Sequence, residues 1–447
     1  MAKEGSLEAP TRHVIDWRSE AYSDPGAIEA EMTRVFDICH GCRRCFNLCD
    51  SFPILFDMID ESPTLEVDGL NPSTDYKTVA DACTLCDMCF MTKCPYVPPH
   101  PFDLDFPHLI LRHRAMEHRQ GETDGVVRQL AKTDRNGKMA KAVAPLANAL
   151  ASRKDVIGRT ILEGVTGIDA DVELPKYHSR TLLDRAAKTH RTPDPARAEK
   201  GRKAVIYATC FANYNQPGTG EAALKVLAKL GVEIEVVHPA CCGMPFLEHG
   251  DIAQVATQAD TVAAELIPWI DKGYEVVALT ASCGLMLKFE WPLILPESDA
   301  VARLSAVTKD ICEYAVEVMK ADGPPDGLRP IEGGVAVHMA CHARAQNMGP
   351  KAAEMLRMIP DTKVDVIERC SGHGGTFGVM KETRPHAVKV ARPAVRAIKT
   401  AGDARLCSDC PLACKHLVQV IEDGGETAPA PSHPIEVLAE AMGLGSE

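Results

Sequence analysis

No stretch of this 447-residue chain is apolar for long enough to cross a bilayer, so any membrane contact is expected to be peripheral or through a partner. The opening residues, MAKEGSLEAPTRHVIDWRSE, lack the apolar core of a secretory signal. An excess of positive charge is missing too: 49 Lys and Arg against 62 Asp and Glu leave a formal charge of −13. That argues against a general nucleic-acid binder, which needs a basic face, and suits docking onto a basic patch of a partner. A dinucleotide fingerprint is also absent. Gly218-Thr219-Gly220 lacks the third glycine and the later acidic residue, and reads as a turn before a helix. A flavin or nicotinamide is therefore expected to sit on a partner.

Cysteine, by contrast, is abundant, with 18 residues. Eight fall in two runs, Cys39-x-x-Cys42-x-x-Cys45-x-x-x-Cys49 and Cys83-x-x-Cys86-x-x-Cys89-x-x-x-x-Cys94-Pro95. Tight Cys-x-x-Cys clustering favours metal over disulfides, and with no secretory signal the expected compartment is a reducing cytoplasm. The spacing is that of two [4Fe–4S] clusters. In the bacterial ferredoxin pattern three close cysteines hold one cluster and the fourth reaches across to the other. By that rule Cys39, Cys42, Cys45 and Cys94 hold one cluster, and Cys83, Cys86, Cys89 and Cys49 the second. Zinc is the rival, but a Cys₄ zinc site needs only two pairs and leaves half of each run unexplained. Asp50 stands after Cys49, where the pattern usually has proline, and adds negative charge without removing a ligand.

The chain divides into a cluster module at 1–118, a helical connector at 119–200, and two related segments at 201–325 and 330–447. The connector shows one helix, Met139–Ala151, interrupted by Pro145, and ends in the basic, proline-containing stretch His190–Lys203. The two segments align at an offset of 131 residues, Ala204 lying over Val335 and Cys210 over Cys341. In each a β-rich run ends in cysteine, and a helical stretch and a second strand follow. The second strand ends in Cys241-Cys242-Gly243 in one copy and in Cys370-Ser371-Gly372 in the other. A third strand ends in Thr280-Ala281-Ser282-Cys283 and in Cys407-Ser408-Asp409-Cys410, and Lys288 falls over Lys415. Strand–helix–strand alternation argues for a small parallel α/β sheet in each copy. Each matching cysteine is expected at the carboxyl end of a strand, where loops of an open parallel sheet converge on one crevice.

The two ferredoxin-type runs followed by the doubled Cys…Cys-Cys-Gly…Cys-x-x-Cys unit resemble the fused iron–sulfur subunits related to heterodisulfide reductase. Cys94-Pro95-Tyr96-Val97-Pro98-Pro99-His100, running into Asp105-Phe106-Pro107-His108, looks like the anaerobic glycerol-3-phosphate dehydrogenase branch of that family. The resemblance implies an α-helical two-cluster ferredoxin module followed by a duplicated parallel α/β cysteine-rich (CCG) domain. It also implies electron relay between a flavoprotein dehydrogenase or small redox protein and a quinone or other acceptor. A complete repeat of the family supplies five cysteines. Here Cys210, Cys241, Cys242 and Cys283 form one set, with Thr280 at the fifth place. Cys341, Cys370, Cys407 and Cys410 form the other, with Ser371 there. Four thiolates suffice for a further iron–sulfur cluster or a zinc ion in one or both repeats, but fall short of the full non-cubane set.

The expected function is an iron–sulfur electron-transfer subunit of an oxidoreductase complex, cytoplasmic or at the inner face of the membrane. A disulfide-type reductase acting at a repeat cluster and a zinc-stabilised assembly scaffold are the alternatives. His338, His342, Arg344 and His373 surround the second copy's cysteines, either tuning a cluster or capping backbone groups. His249 carries a weaker version of the same signal. Cys312 and Cys414 sit in apolar helical stretches and read as buried thiols, Cys414 with a lesser claim as a substitute ligand.

Overall fold

The computed structural model describes residues 10–445 except 154 and 190. The opening segment of the sequence and His190 at the head of the connector's basic stretch lie outside the described residues.

The N-terminal module is helical. Helix α1 spans Pro25–Cys42, with Pro25 in its first turn and the Asp24 carboxylate accepting from the Ala27 N–H. Its buried stripe is Ile28, Met32, Val35 and Phe36. This packs with helices α2 (Ser51–Glu61), α3 (Asp75–Asp81) and α4 (Phe106–Gln120) into a core that continues through Met244, Leu247 and Trp291 of the first repeat. Module and first repeat thus share one apolar interior.

Each repeat builds a four-stranded parallel sheet. The first has the order β2-β1-β3-β4, from β1 Lys203–Tyr207, β2 Glu233–Val237, β3 Glu275–Ala278 and β4 Thr308–Asp310. The second repeats it as β6-β5-β7-β8, from β5 Val335–His338, β6 Val364–Ile367, β7 Arg405–Ser408 and β8 Ala430–Ser432. The register is equivalent: Val205 pairs with Glu235 in one sheet and Ala336 with Asp365 in the other. The fourth strands, three residues each, are additions to the sequence reading, too short to show a period of two.

Both faces of the central strands are buried, as parallel sheets require. Val205 and Tyr207 face the core shared with the module, while Ala204 and Ile206 face a second core. Val335, Val337 and Cys407 of the other sheet enter that same second core. Helices from both copies fill it in reciprocal pairs. Pro217–Lys229, after β1, packs on Pro434–Ala441, after β8, and Ile311–Asp322, after β4, packs on Lys351–Leu356, in the β5–β6 crossover. Each contact has a counterpart with the copies exchanged, as in a two-fold symmetric dimer. The duplicated halves therefore form a pseudo-dimer within one chain, and their strand ends are brought to a common place.

The connector departs from its expected single helix. Residues 133–142 and 144–150 are separate helices, broken at Val143 (φ −126°), and Pro145 sits in the first turn of the second rather than inside one helix. A further helix, Val156–Thr166, follows. Gly218-Thr219-Gly220 is the first turn of the helix Pro217–Lys229, not a loop before it. A Cβ at Gly220 would lie 2.1 Å from the Leu182 side chain, so glycine there serves close packing.

Candidate functional site

Cys39 and Cys42 lie in the last turn of α1, which ends where Arg43 turns left-handed (φ 49°) and its N–H bonds the Cys39 carbonyl. The chain then folds back through Cys45. Cys94 arrives after a π turn at Cys89–Lys93. Cys39, Cys42, Cys45 and Cys94 line one small cavity, roofed by Phe52, Phe56 and Leu104. No carboxylate or imidazole shares that lining. Burial pushes the Cys39 thiol well up, and the neighbouring Cys45, Cys94 and Cys42 push it further. Thiols crowded this way out of water ionise only against a cation, and an all-sulfur donor set is what an iron–sulfur cluster takes. The residues fit such a group.

The second group forms where Leu85 (φ 47°) and Asp87 (φ 63°) both adopt left-handed backbone around Cys86. For non-glycine residues this costs roughly 1–3 kcal/mol each. The conformation is held by Arg12, whose guanidinium bonds Asp87 at 2.7 and 3.1 Å, Asp105 at 2.9 Å and Glu290 at 3.0 Å, and lies over the Phe90 ring. Burial first, then Cys86 and Cys83, pushes the Cys49 thiol well up, so these cysteines are electrostatic neighbours. Asp50 is held below the usual carboxylate range by Lys389 and His386 of the second repeat, which outweigh its burial.

In the repeats Cys210 opens the short helix after β1, and Cys341 opens its counterpart after β5. Cys241 and Cys242 follow β2, fixed by two bonds from outside the loop. The Asp134 carboxylate accepts from the Cys241 N–H at 2.6 Å, and the Trp291 ring N–H donates to the Cys242 carbonyl at 3.0 Å. Gly243 (φ 87°) and Gly372 (φ 77°) make the turns that follow, and a Cβ at Gly372 would strike the Ala387 carbonyl at 2.0 Å. Cys370 receives the Gly372 N–H, Cys283 sits in the helix after β3, and Cys410 caps the helix Pro411–Asp423 after β7.

These seven repeat cysteines line a single cavity of about 260 Å³ between the two copies. Thr280 and Ser371, the two residues at the fifth places, line it as well, and so do Cys49 and Cys86 of the second N-terminal group. Cys210 and Cys241 lie 3.7 Å apart at sulfur. Phe211, Met244, Val390 and Leu412 make much of the remaining wall apolar.

Cys407 is not brought to this cavity. It lies within β7, fully buried, and strand alternation turns it into the core between the sheets. The sequence reading puts Cys407 at the carboxyl end of the strand with the other ligands, whereas β7 runs through it to Ser408. Cys312 donates to Asp409 and Cys414 to the Leu406 carbonyl, both as buried thiols. His338 bonds the Arg369 carbonyl and Ser408 from within the strand, bracing the cysteine loop as Tyr207 braces the Ala240 carbonyl in the first copy. His342 and His373 do line the cavity, and burial lowers both, His373 to about 3. Arg344 lies outside the lining, near Glu368. Lys288 pairs with Glu313, whereas Lys415 stands over Phe211, so the aligned lysines differ in role.

Sequence reasoning missed Arg12, Asp134 and Glu248. Glu248 stands in the wall between the apolar cavity and a larger polar one of about 610 Å³, where burial raises its carboxyl to about 7 against the pull of Arg114. His249 lines only the polar cavity. None of these sits at a motif spacing. Their roles come from long-range packing.

Residues 204–288 and 335–418 each match the CCG cysteine-rich domain family. The chain is 28% identical over 319 residues to the C subunit of anaerobic glycerol-3-phosphate dehydrogenase from Escherichia coli K12, covering 70% of this chain and 76% of the relative. It is 26% identical over 279 residues to the D subunit of dihydromethanophenazine:CoB–CoM heterodisulfide reductase from Methanosarcina mazei, covering 60% and 66%. Lactate utilization protein A of Bacillus pumilus is 27% identical over 209 residues, 45% of this chain and 84% of that protein.

Proposed function

We propose that this chain, a member of the iron–sulfur subunit family related to heterodisulfide reductase, is the electron-relay subunit of an oxidoreductase complex. The partner is a flavoprotein dehydrogenase or small redox protein, and the acceptor a quinone or another carrier. Iron–sulfur clusters, when bound, supply one-electron chemistry over a range of potentials set by their surroundings. Cys39, Cys42, Cys45 and Cys94 would hold one [4Fe–4S] cluster, and Cys83, Cys86, Cys89 and Cys49 the second. Cys210, Cys241, Cys242, Cys283, Cys341, Cys370 and Cys410 would hold further metal.

The observation that carries this reading is that Cys49 and Cys86 line the same cavity as the repeat cysteines. Two of the four second-group cysteines thereby stand in the cavity wall, and Cys45 of the first group is an electrostatic neighbour of Cys89 in the second, which supports a relay order of first group, second group, cavity. The remaining residues orient and exclude water. Arg12 fixes the loop that carries Cys86, Asp134 and Trp291 fix Cys241 and Cys242, and Phe52 and Phe56 cover the first group. Low polarity around a redox site limits solvent reorganisation and shapes its potential.

The test uses Cys42→Ser and Cys86→Ser on anaerobically purified protein. Each is expected to lower iron and sulfide by about four per chain with helix content preserved. Full iron and sulfide in both variants would refute the ligand assignment.

A second reading, a disulfide-type reductase at the repeat cavity, draws on Thr280 and Ser371. They put hydroxyls where the family pattern has thiolates, leaving coordination positions open to a small molecule. Its signature would be a change in the repeats' metal spectrum on adding a disulfide, absent from a pure relay.

A further inference from the structure

The described residues expose fourteen large apolar side chains, and eight of them fall between Met139 and Val165. The helix Val156–Thr166 is inverted. Val156, Ile157, Ile161 and Val165 are 62–76% exposed on its outer face. Its charged residues lie off that face, Arg159 buried and Glu163 half-buried beside Lys381. Arg159, 1% exposed, donates to the carbonyls of Asp169, Ala170 and Val172 at 2.7–3.0 Å. Glu163 accepts the Ala170 N–H and pairs with Lys381. A surface helix ordinarily does the reverse. The two preceding helices continue the pattern, exposing Met139, Val143, Leu146 and Leu150. The charged residues described between Met139 and Val165 are half-buried or buried, with Lys141 paired to Asp184 and Arg153 to Asp423.

Cations cluster at the leading edge of this stretch, between it and the exposed acids Glu122 and Asp124, while exposed Glu382 stands near Val165 at its far end. Arg128, Lys132, Arg135 and Lys138 are all exposed just before Met139, on a chain whose formal charge is −13. Arg135 rests its guanidinium on the neutral oxygens of Gln129 and Asn136, so its charge stays uncompensated. An apolar face with a lysine and arginine border is the pattern of helices that lie in the headgroup layer, where anionic lipid attracts basic residues.

We propose that residues 128–165 form a docking surface for an anionic phospholipid membrane. The apolar face enters the headgroup boundary and the four cations meet lipid phosphates. No helix among the described residues is long and apolar enough to cross a bilayer, so the contact lies in the membrane plane. This goes beyond the relay role and stands whether or not that role holds.

The test is sedimentation of the full chain with vesicles of phosphatidylcholine alone and of phosphatidylcholine with phosphatidylglycerol, at low and high salt. Two double variants accompany it, Ile157→Glu with Ile161→Glu, and Lys132→Glu with Lys138→Glu. All four positions are exposed, and unchanged circular dichroism and metal content serve as folding controls. The wild-type chain is expected to favour the anionic vesicles, less so at high salt. Each double variant should lower that partition about tenfold or more. Absence of vesicle binding by the wild-type chain, or binding undiminished in both variants, would overturn the proposal. So would a wild-type chain that ignores vesicles but self-associates through this face, with light scattering showing smaller particles for the isoleucine variant.

Discussion

Arg12 is one residue on which three segments depend. Its side chain is 11% exposed and joins Asp87, between two cysteines, to Asp105 at the cap of α4 and to Glu290 of the first repeat. His108 bonds Glu290 from the other side at 3.1 Å and is raised by the charges of Asp105 and Glu290 despite its burial. Removing Arg12 leaves buried carboxylates without their main partner. Arg12→Ala is expected to cost about 3–5 kcal/mol in denaturant unfolding. Arg12→Lys should recover only part, since a compact ammonium lacks the planar fork that spans Asp87, Asp105 and Glu290. The alanine variant should also lose iron at the second group, because Asp87 is no longer held. Equal stability and iron content in all three proteins would contradict this account. Nothing in the sequence marked Arg12. The N-terminal cysteine runs stand out because their spacing is local, whereas a clamp reaching across 278 residues leaves no local trace.

At the scale of elements, the strands could be read from β-rich runs and the internal offset, but not their ends. Three positions across the end of β7 at Ser408 separate Cys410, at the cavity, from Cys407, in the core. The terminal helix Pro434–Ala441 shows how an element's cap carries pH dependence. His433 accepts the Ile435 N–H through Nδ1, and burial lowers it to about 4 from an ordinary 6.5. Unfolded, it takes a proton below pH 6.5; folded, it resists until about pH 4. Its neutral form therefore supports the fold above pH 6.5, and that support is lost as pH falls towards 4. The span corresponds to about 3 kcal/mol. His433→Asn keeps a capping acceptor without the titration. Urea midpoints measured from pH 7 to 4.5 should fall less steeply in the variant, by about one proton's worth of slope. Identical slopes would show that His433 does not titrate as described.

At the scale of the whole molecule, duplication was visible in the sequence, while its consequence was not. The offset of Ala204 over Val335 gave two copies, yet nothing local said that they would meet. The reciprocal pairing of helices from opposite copies brings the strand ends together, and seven of the eight cysteines in the two sets, all but Cys407, then face one cavity. One shared site makes an expectation that two separate sites would not. Cys241→Ser and Cys410→Ser, from different copies, should each disturb the same repeat-bound metal signal, and the double variant should add little. Two independent, additive losses would contradict a common site.

The relay itself is tested most directly by iron, acid-labile sulfide and zinc per chain on anaerobically purified protein, with EPR of oxidised and dithionite-reduced samples. The account predicts at least about eight irons with matching sulfide, and reduced-state signals from neighbouring clusters. Zinc in place of iron at the N-terminal cysteines, or iron that dithionite does not reduce, would contradict it.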